Sequence, residues 1–326
     1  MGPYDRTLTP QTQLMLDRES VVEALSGIME PDLGKDIVSL ELVTNLEVGD
    51  NKVAATIKSS NPAMHARKRM QEAVEFAIER KFGADIETEI TVEPLASDER
   101  TTETRKVLPG VNNIIAVASG KGGVGKSTVS SNLAVALAQL GYKVGICDAD
   151  IYGPSVPTMF GVEDEKPQPV EVNGKQMMQP VEKHGVKILS IGFFADPDQA
   201  IVWRGPMASK ALKQLFTEAT WGDLDFMIID LPPGTGDVQL TLCQKIPVSG
   251  AIIVTTPQDI SLIDARKGLK MFEKVEVPVL GIVENMSTHV CKKCGHIESI
   301  FGEGGGDQLA SEAGVDLIGE LPLQKQ

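Results

Sequence analysis

At 326 residues, with 42% apolar residues, the chain has room for one large domain or for a large and a small one. Its formal net charge of −14 argues against a general affinity for nucleic acid or anionic membrane. No apolar run approaches the roughly 18 residues of a membrane span, and the polar stretch Met1–Pro10 lacks the apolar core of a signal peptide, which points to the cytoplasm.

From the N-terminus, Ser20-Val21-Val22-Glu23 has the form of a capping box opening a helix, with Val21, Leu25 and Ile28 on one face. Pro31-Asp32-Leu33-Gly34 stops it. Ile37 to Leu46 is expected as a strand, Gly49-Asp50-Asn51 as a hairpin turn, and Val53, Ala55 and Ile57 as the buried face of a second strand. Ser60-Asn61-Pro62 can cap a long helix with Met70, Val74 and Ala77 on one stripe, ended by Gly83. Ile86 to Glu93 completes an αββαβ unit that is large enough to fold alone. The expected organisation is a small α+β domain over residues 13–95, a polar linker over 96–110, and a second domain over 111–326.

After Val111 apolar strands alternate with helices, the rhythm of an α/β parallel sheet covered on both faces. Strands are expected at Ile114–Ala118, Lys143–Cys147, Asp225–Asp230, Gly250–Thr255 and Pro278–Glu284. Leu133, Leu137 and Leu140 mark the first helix. Glu163 to Lys183, with three prolines, is an excursion with room for a hairpin.

Between that first strand and first helix lies Gly120-Lys121-Gly122-Gly123-Val124-Gly125-Lys126-Ser127-Thr128, a P-loop in the context that confirms the motif. The glycines let backbone N–H groups face phosphates, and the helix N-terminus adds partial positive charge. Lys126 is placed to reach the β- and γ-phosphates and the Ser127 hydroxyl to ligate Mg²⁺. Lys121 is either a solvated lysine or a charge donated across a dimer to the partner's nucleotide. Asp148-Ala149-Asp150 and Asp230 end the next strands, at the carboxyl edge where open α/β sheets bind ligands. Asp148 and Asp230 are candidate Mg²⁺ partners. Pro232 to Asp237 has the glycines of a loop that tracks the γ-phosphate. Asn285 is a candidate adenine contact or a strand-end turn residue, and the absence of an Asn-Lys-x-Asp signature favours ATP over GTP.

Of four cysteines, only Cys291-Lys292-Lys293-Cys294 forms a close pair, which in a reducing compartment binds metal or does redox chemistry. Cys147 and Cys243 sit in apolar stretches and are expected as packed core thiols. The pair fits one edge of an iron–sulfur cluster completed by a second copy, half of a zinc knuckle completed by His296 or His289, or a surface pair without metal.

The P-loop with its extra Lys121, the segment Asp148–Pro154, Asp230-Leu-Pro-Pro-Gly-Thr-Gly-Asp237, and Glu284-Asn285-Met286 followed by Cys-x₂-Cys together resemble the Mrp/ApbC iron–sulfur cluster carrier ATPases. These belong to the deviant-Walker-A class that includes MinD, ParA and the nitrogenase iron protein. Glu30-Pro31-Asp32-Leu33-Gly34 and Ile37–Leu40 are similar to the small domain of iron–sulfur assembly factors. The resemblance implies a homodimer that binds ATP and Mg²⁺, with Lys121 acting across the dimer and Asp150 positioning the attacking water. It also implies that Cys291 and Cys294 are ligands of a shared [4Fe–4S] cluster, delivered to apo iron–sulfur proteins. Two departures stand out. Met64 replaces a cysteine frequent in the small domain, and the sequence ends at Gln326, before a final helix and part of the adenine pocket expected from the family. The rival readings are a MinD/ParA-like positioning ATPase, for which neither a basic face nor an amphipathic tail is visible, and a zinc or nickel metallochaperone ATPase.

Overall fold

A computed structural model describes residues 16–31, 33–61, 64–96, 107–194 and 205–324. The expected linker and the Ser60-Asn61-Pro62 cap fall wholly or partly outside them, as do Asp32 and the side chain of Met64. The chain forms two compact units that divide in sequence after Leu95.

In the first unit, α1 (Arg18–Leu25) is followed by β1 (Met29–Glu30), β2 (Lys35–Asp36), β3 (Val43–Val48), β4 (Lys52–Ser59), α2 (Met64–Phe82) and β5 (Glu87–Pro94). The cap of α1 is Asp17, whose carboxylate accepts the Ser20 N–H at 2.8 Å, one turn earlier than the expected Ser20. The strand expected from Ile37 begins only at Val43. Asp36 Oδ1 accepts the N–H groups of Val38 and Ser39, and Glu41 adopts a left-handed φ of 55°, so a turn occupies the intervening residues. β3 and β4 form the expected hairpin, and β5 joins β4 in parallel. The buried stripe of α2 is Met70, Val74 and Ile78, with Ile78 in the place expected for Ala77.

The second unit runs β6 (Val111–Ala118), α3 (Lys126–Gln139), β7 (Val144–Asp148), α4 (Val156–Phe160), β8 (Gln168–Val172), β9 (Lys175–Gln179), β10 (Val181–Lys183) and β11 (Val186–Ser190). It continues through α5 (Gly205–Thr217), β12 (Leu224–Asp230), α6 (Asp237–Lys245), β13 (Gly250–Thr255), α7 (Asp259–Lys274), β14 (Val279–Val290), β15 (Ile297–Glu298), α8 (Gly305–Ala313) and β16 (Leu317–Leu323). Among the described residues the main sheet has the order β10-β11-β7-β12-β6-β13-β14-β15, with β16 also beside β14. Only β10 and β15 are antiparallel to their neighbours. Every residue of β7 and β13 is buried, as parallel strands covered on both faces require. The excursion contains the β8–β9 hairpin, turned by Asn173-Gly174 with both residues at positive φ.

Two expectations are adjusted. In α3 the buried positions are Lys126, Val129, Ser130, Ser131 and Ala134, while Leu140 lies past the helix end and is exposed. Small residues let the helix that follows the phosphate loop approach the strands closely. The strand expected to end at Glu284 extends to Val290, passing through Met286 at a left-handed φ of 58°. Among the described residues, no helix is long and apolar enough to cross a membrane.

Candidate functional site

The loop between β6 and α3 is held open by two glycines in left-handed conformations, Gly123 (φ 82°) and Gly125 (φ 86°), the second being the N-cap of α3. It is bracketed on two sides. A Cβ on Gly120 would lie 2.2 Å from the backbone of Asp264 in α7, and one on Gly125 would lie 2.1 Å from Asn285 Nδ2. Around Gly122 and Gly123, by contrast, a Cβ would meet nothing within 4 Å. Such a cradle suits a phosphate group: two bends that only glycine adopts without strain, at a helix N-terminus.

Strand register brings the acidic residues to this loop. Asp230 is the ladder partner of Asp148, and both stand at the carboxyl ends of their strands. Asp230 is fully buried. Its Oδ1 accepts the Ser130 hydroxyl at 2.6 Å and its Oδ2 the Ser127 hydroxyl at 2.5 Å. Lys126, itself buried, places Nζ 2.9 Å from Asp230 Oδ2, 3.4 Å from Asp150 Oδ2 and 3.2 Å from Ser127 Oγ. Burial, then the neighbouring Asp230, pushes the Asp148 carboxyl up to about 7. Asp148 is also engaged by its own chain: Oδ1 accepts the Asp150 N–H, and Oδ2 accepts the Val156 N–H and the Ser190 hydroxyl. Two carboxylates, of Asp150 and Asp230, against the one Lys126 ammonium and beside the Ser127 hydroxyl make an oxygen-rich site with excess negative charge. That donor set fits a hard divalent cation such as Mg²⁺.

The segment after Asp230 is fastened to the P-loop from behind. The Gly234 N–H donates to the Ser119 carbonyl at 2.9 Å, and the Ser119 hydroxyl donates to the Lys121 carbonyl at 2.9 Å. Buried Gln239, in α6, donates from Nε2 to the carbonyls of Pro232 (3.1 Å) and Pro233 (2.8 Å). Lys121 is half-buried, and among the described residues no carboxylate lies within ion-pair distance of it. Thr128 is exposed. Ser119, Ser130, Ser190 and Gln239 were missed from sequence. Ser130 alone carried a signal, since it lies one helical turn beyond Lys126 and Ser127.

The cysteine pair is not in this cradle but on the tip of a hairpin at the far end of β14. β14 and β15 pair through His289–Glu298 and Val290–Ile297, and Cys291 and Cys294 lie in the turn between. The turn is closed by Cys291 N–H donating to His296 O (2.9 Å) and Gly295 N–H to Cys291 O (2.8 Å), with Gly295 at φ 71°. Backbone N–H groups of Cys294 and Lys293 directed at the Cys291 sulfur hold that thiol below its ordinary pKa. Cys291 is half-buried and Cys294 exposed, whereas Cys147 and Cys243 are buried in β7 and α6. His289 Nδ1 lies 3.2 Å from Glu298 Oε1, and among the described residues no three His, Cys, Asp or Glu side chains cluster to hold a metal.

Asn285 and its neighbour Glu284 lie between the two regions, on β14. Asn285 Nδ2 donates to the Val124 carbonyl of the P-loop at 2.8 Å. Buried Glu284 accepts the Gly306 N–H in the first turn of α8, and burial raises its pKa.

Comparison with known proteins places this geometry. Residues 110–326 match the family model described as the NUBPL iron-transfer P-loop NTPase, and residues 18–92 match that of an iron–sulfur cluster assembly protein. The chain is 62% identical over 214 residues to the iron–sulfur cluster carrier protein of Escherichia coli, an alignment covering 66% of this chain and 57% of that protein. It thus spans little more than half of that relative's length. The protein of the same name from Haemophilus influenzae is 45% identical over 306 residues, covering 94% of this chain and 82% of its own. Among solved structures, the nucleotide-binding protein of Archaeoglobus fulgidus in complex with ADP superposes with a TM-score of 0.59 at 39% identity, covering 70% of this chain and 86% of that one. The chain therefore belongs to the iron-transfer P-loop NTPase family of the iron–sulfur cluster carriers, and carries in front an iron–sulfur assembly-type domain.

Proposed function

We propose that the chain is an ATP-hydrolysing iron–sulfur cluster carrier of the cytoplasm, a homodimer that holds a [4Fe–4S] cluster between two cysteine hairpins and passes it to apoproteins. One observation carries the reading: a hairpin that presents two thiols at the surface, one already biased to thiolate by backbone N–H groups. Two thiolates are half of the set a cubane cluster takes, and a twofold axis supplies the other half. A cluster shared in this way is exposed and can leave, which a carrier requires. The family and the ADP-bound relative support an adenine nucleotide at the P-loop.

Bound Mg–ATP would supply the phosphoanhydride whose hydrolysis drives the cycle. The P-loop from Gly120 to Thr128 would cradle its phosphates, and Lys126 would exchange its contact with Asp230 for them. Ser127 and Asp230 are the pair best placed to hold Mg²⁺. Asp148, a Mg²⁺ candidate from sequence, is assigned instead to anchoring the segment that carries Asp150, because both its oxygens serve the chain. Asp150 would orient the attacking water, and Lys121 would act on the partner's nucleotide. Asn285 brackets the loop, in addition to the adenine contact that its strand end offers.

Anaerobic reconstitution with iron and sulfide tests the proposal. About four irons per dimer and a broad brown absorption are expected by the cluster's stoichiometry. Cys291→Ser or Cys294→Ser should abolish both the cluster and its transfer to an apoprotein, and still bind ATP. A full cluster in the double variant would sink the carrier role of this hairpin. Uptake of zinc alone would put a metallochaperone in its place.

A further inference from the structure

We propose that Asn285 is the positioning residue through which nucleotide in the P-loop moves the cysteine hairpin. The inference rests on the P-loop and the hairpin having the roles just proposed, and adds the route between them. Its amide is bonded to the carbonyl of Val124, the one P-loop residue flanked on both sides by glycines at positive φ. The Val124–Gly125 peptide can turn about the glycine when phosphate engages the Gly125 N–H, and that turn pulls or releases the carbonyl that Asn285 holds. The fit is tight, because a single Cβ on Gly125 would strike the same amide.

From Asn285 the backbone leads directly to the thiols. Cys291 lies six residues further on, at most about 20 Å of strand. Immediately after Asn285 the ladder with β16 is irregular. Asn285 pairs with Leu321 and His289 with Leu323, so four steps along β14 oppose two along β16. Met286, at left-handed φ, lies in that bulge. A bulge bends its strand and releases ladder bonds, and so provides a hinge between the fixed part of β14 and the hairpin. The part before the hinge is fixed by Glu284, whose carboxylate holds the first turn of α8, the helix reached from the hairpin's other end. Asn285, the last residue before the bulge, is thus the point at which a displacement at Val124 can turn the strand, and the hairpin beyond Met286 swings with it.

The test is hydrogen–deuterium exchange across residues 287–298 of the cluster-free protein, with and without Mg–ADP at concentrations that titration shows to saturate. In the wild type, ADP should change exchange of this segment about fivefold, the low end of two-site coupling, and leave β13 unchanged. Asn285→Ala should lose that change with ADP bound. Inserting two glycines between Met286 and Ser287 leaves the loop contact in place and keeps the strand's two-residue alternation. It should also lose the change, and it decides the matter if alanine costs too much ADP affinity for saturation. A wild type that binds ADP without altering the hairpin overturns the inference, as does a saturated variant of either kind that keeps the full change. Failure of the wild type to bind ADP would instead overturn the proposed function, and this inference with it.

Discussion

Lys126 Nζ lies 2.9 Å from Asp230 Oδ2, inside a site from which water is almost excluded. The P-loop lysine thus neutralises the carboxylate proposed to hold Mg²⁺, and Ser127 donates to the same oxygen. Nucleotide and cation must then enter together: as phosphates draw the ammonium away, a divalent cation has to take its place beside Asp230.

Lys126→Ala should abolish ATP turnover. The burial adds a second effect that a solvated loop lysine would not show. Removing one member of a buried ion pair leaves the carboxylates uncompensated, costing about 3 kcal/mol, or roughly 10 °C in the melting temperature of a unit this size. ATPase assays and a melting curve check both. Wild-type turnover in this variant would sink the assignment.

Asp150→Ala should keep ATP binding and slow hydrolysis by about 100-fold, since a group that orients water acts mainly in the transition state. Lys121→Ala should slow it too. If Lys121 works across the dimer, mixing the two variants should restore part of the activity, because one of the two sites then has both groups. No gain in confirmed heterodimers would leave Lys121 a solvated lysine.

The P-loop and the strand-end aspartates were legible because their chemistry is local: a nine-residue segment and single residues closing apolar runs. The bonds that set the site's shape were not. Ser130 reaches Asp230 across 100 residues of sequence and Asn285 reaches Val124 across 161, and spacing carries no trace of either. The extension of β14 was hidden for a different reason. A methionine at left-handed φ gives no turn signal, so the strand ended on paper at Glu284, with the cysteines in an undefined loop. In the first unit the short Asx turn at Asp36 displaced an expected strand that has ordinary β character.

Gln239 gives a prediction with an unusual order. Its Nε2 satisfies the buried carbonyl of Pro232 and the part-buried carbonyl of Pro233, so Gln239→Ala should cost about 1–2 kcal/mol by thermal or urea unfolding. Gln239→Glu keeps the shape but aims an acceptor at two acceptors. It should be the less stable of the two. A glutamate variant as stable as wild type would show that the Pro232-Pro233 segment is held by something else.

The four cysteines should separate by reactivity. Burial pushes Cys243 up to about 12, so at pH 8 on the order of one thiol in 10⁴ is ionised. Burial, and then Asp148 and Asp230, raise Cys147 as well. Cys291 is biased the other way by the backbone N–H groups of Cys294 and Lys293. In the folded, cluster-free protein, iodoacetamide at pH 8 should therefore label the hairpin and spare Cys147 and Cys243, and all four should react in urea. Lowering the pH from 8 to 7 cuts the reactivity of an ordinary thiol roughly tenfold. Cys291 should lose less, because its thiolate persists below the usual range. Peptide mass spectrometry of the labelled protein reads both effects. Native-state labelling of Cys243 at the rate of Cys291 would contradict the burial, and a tenfold loss at Cys291 would contradict the hydrogen bonds to its sulfur.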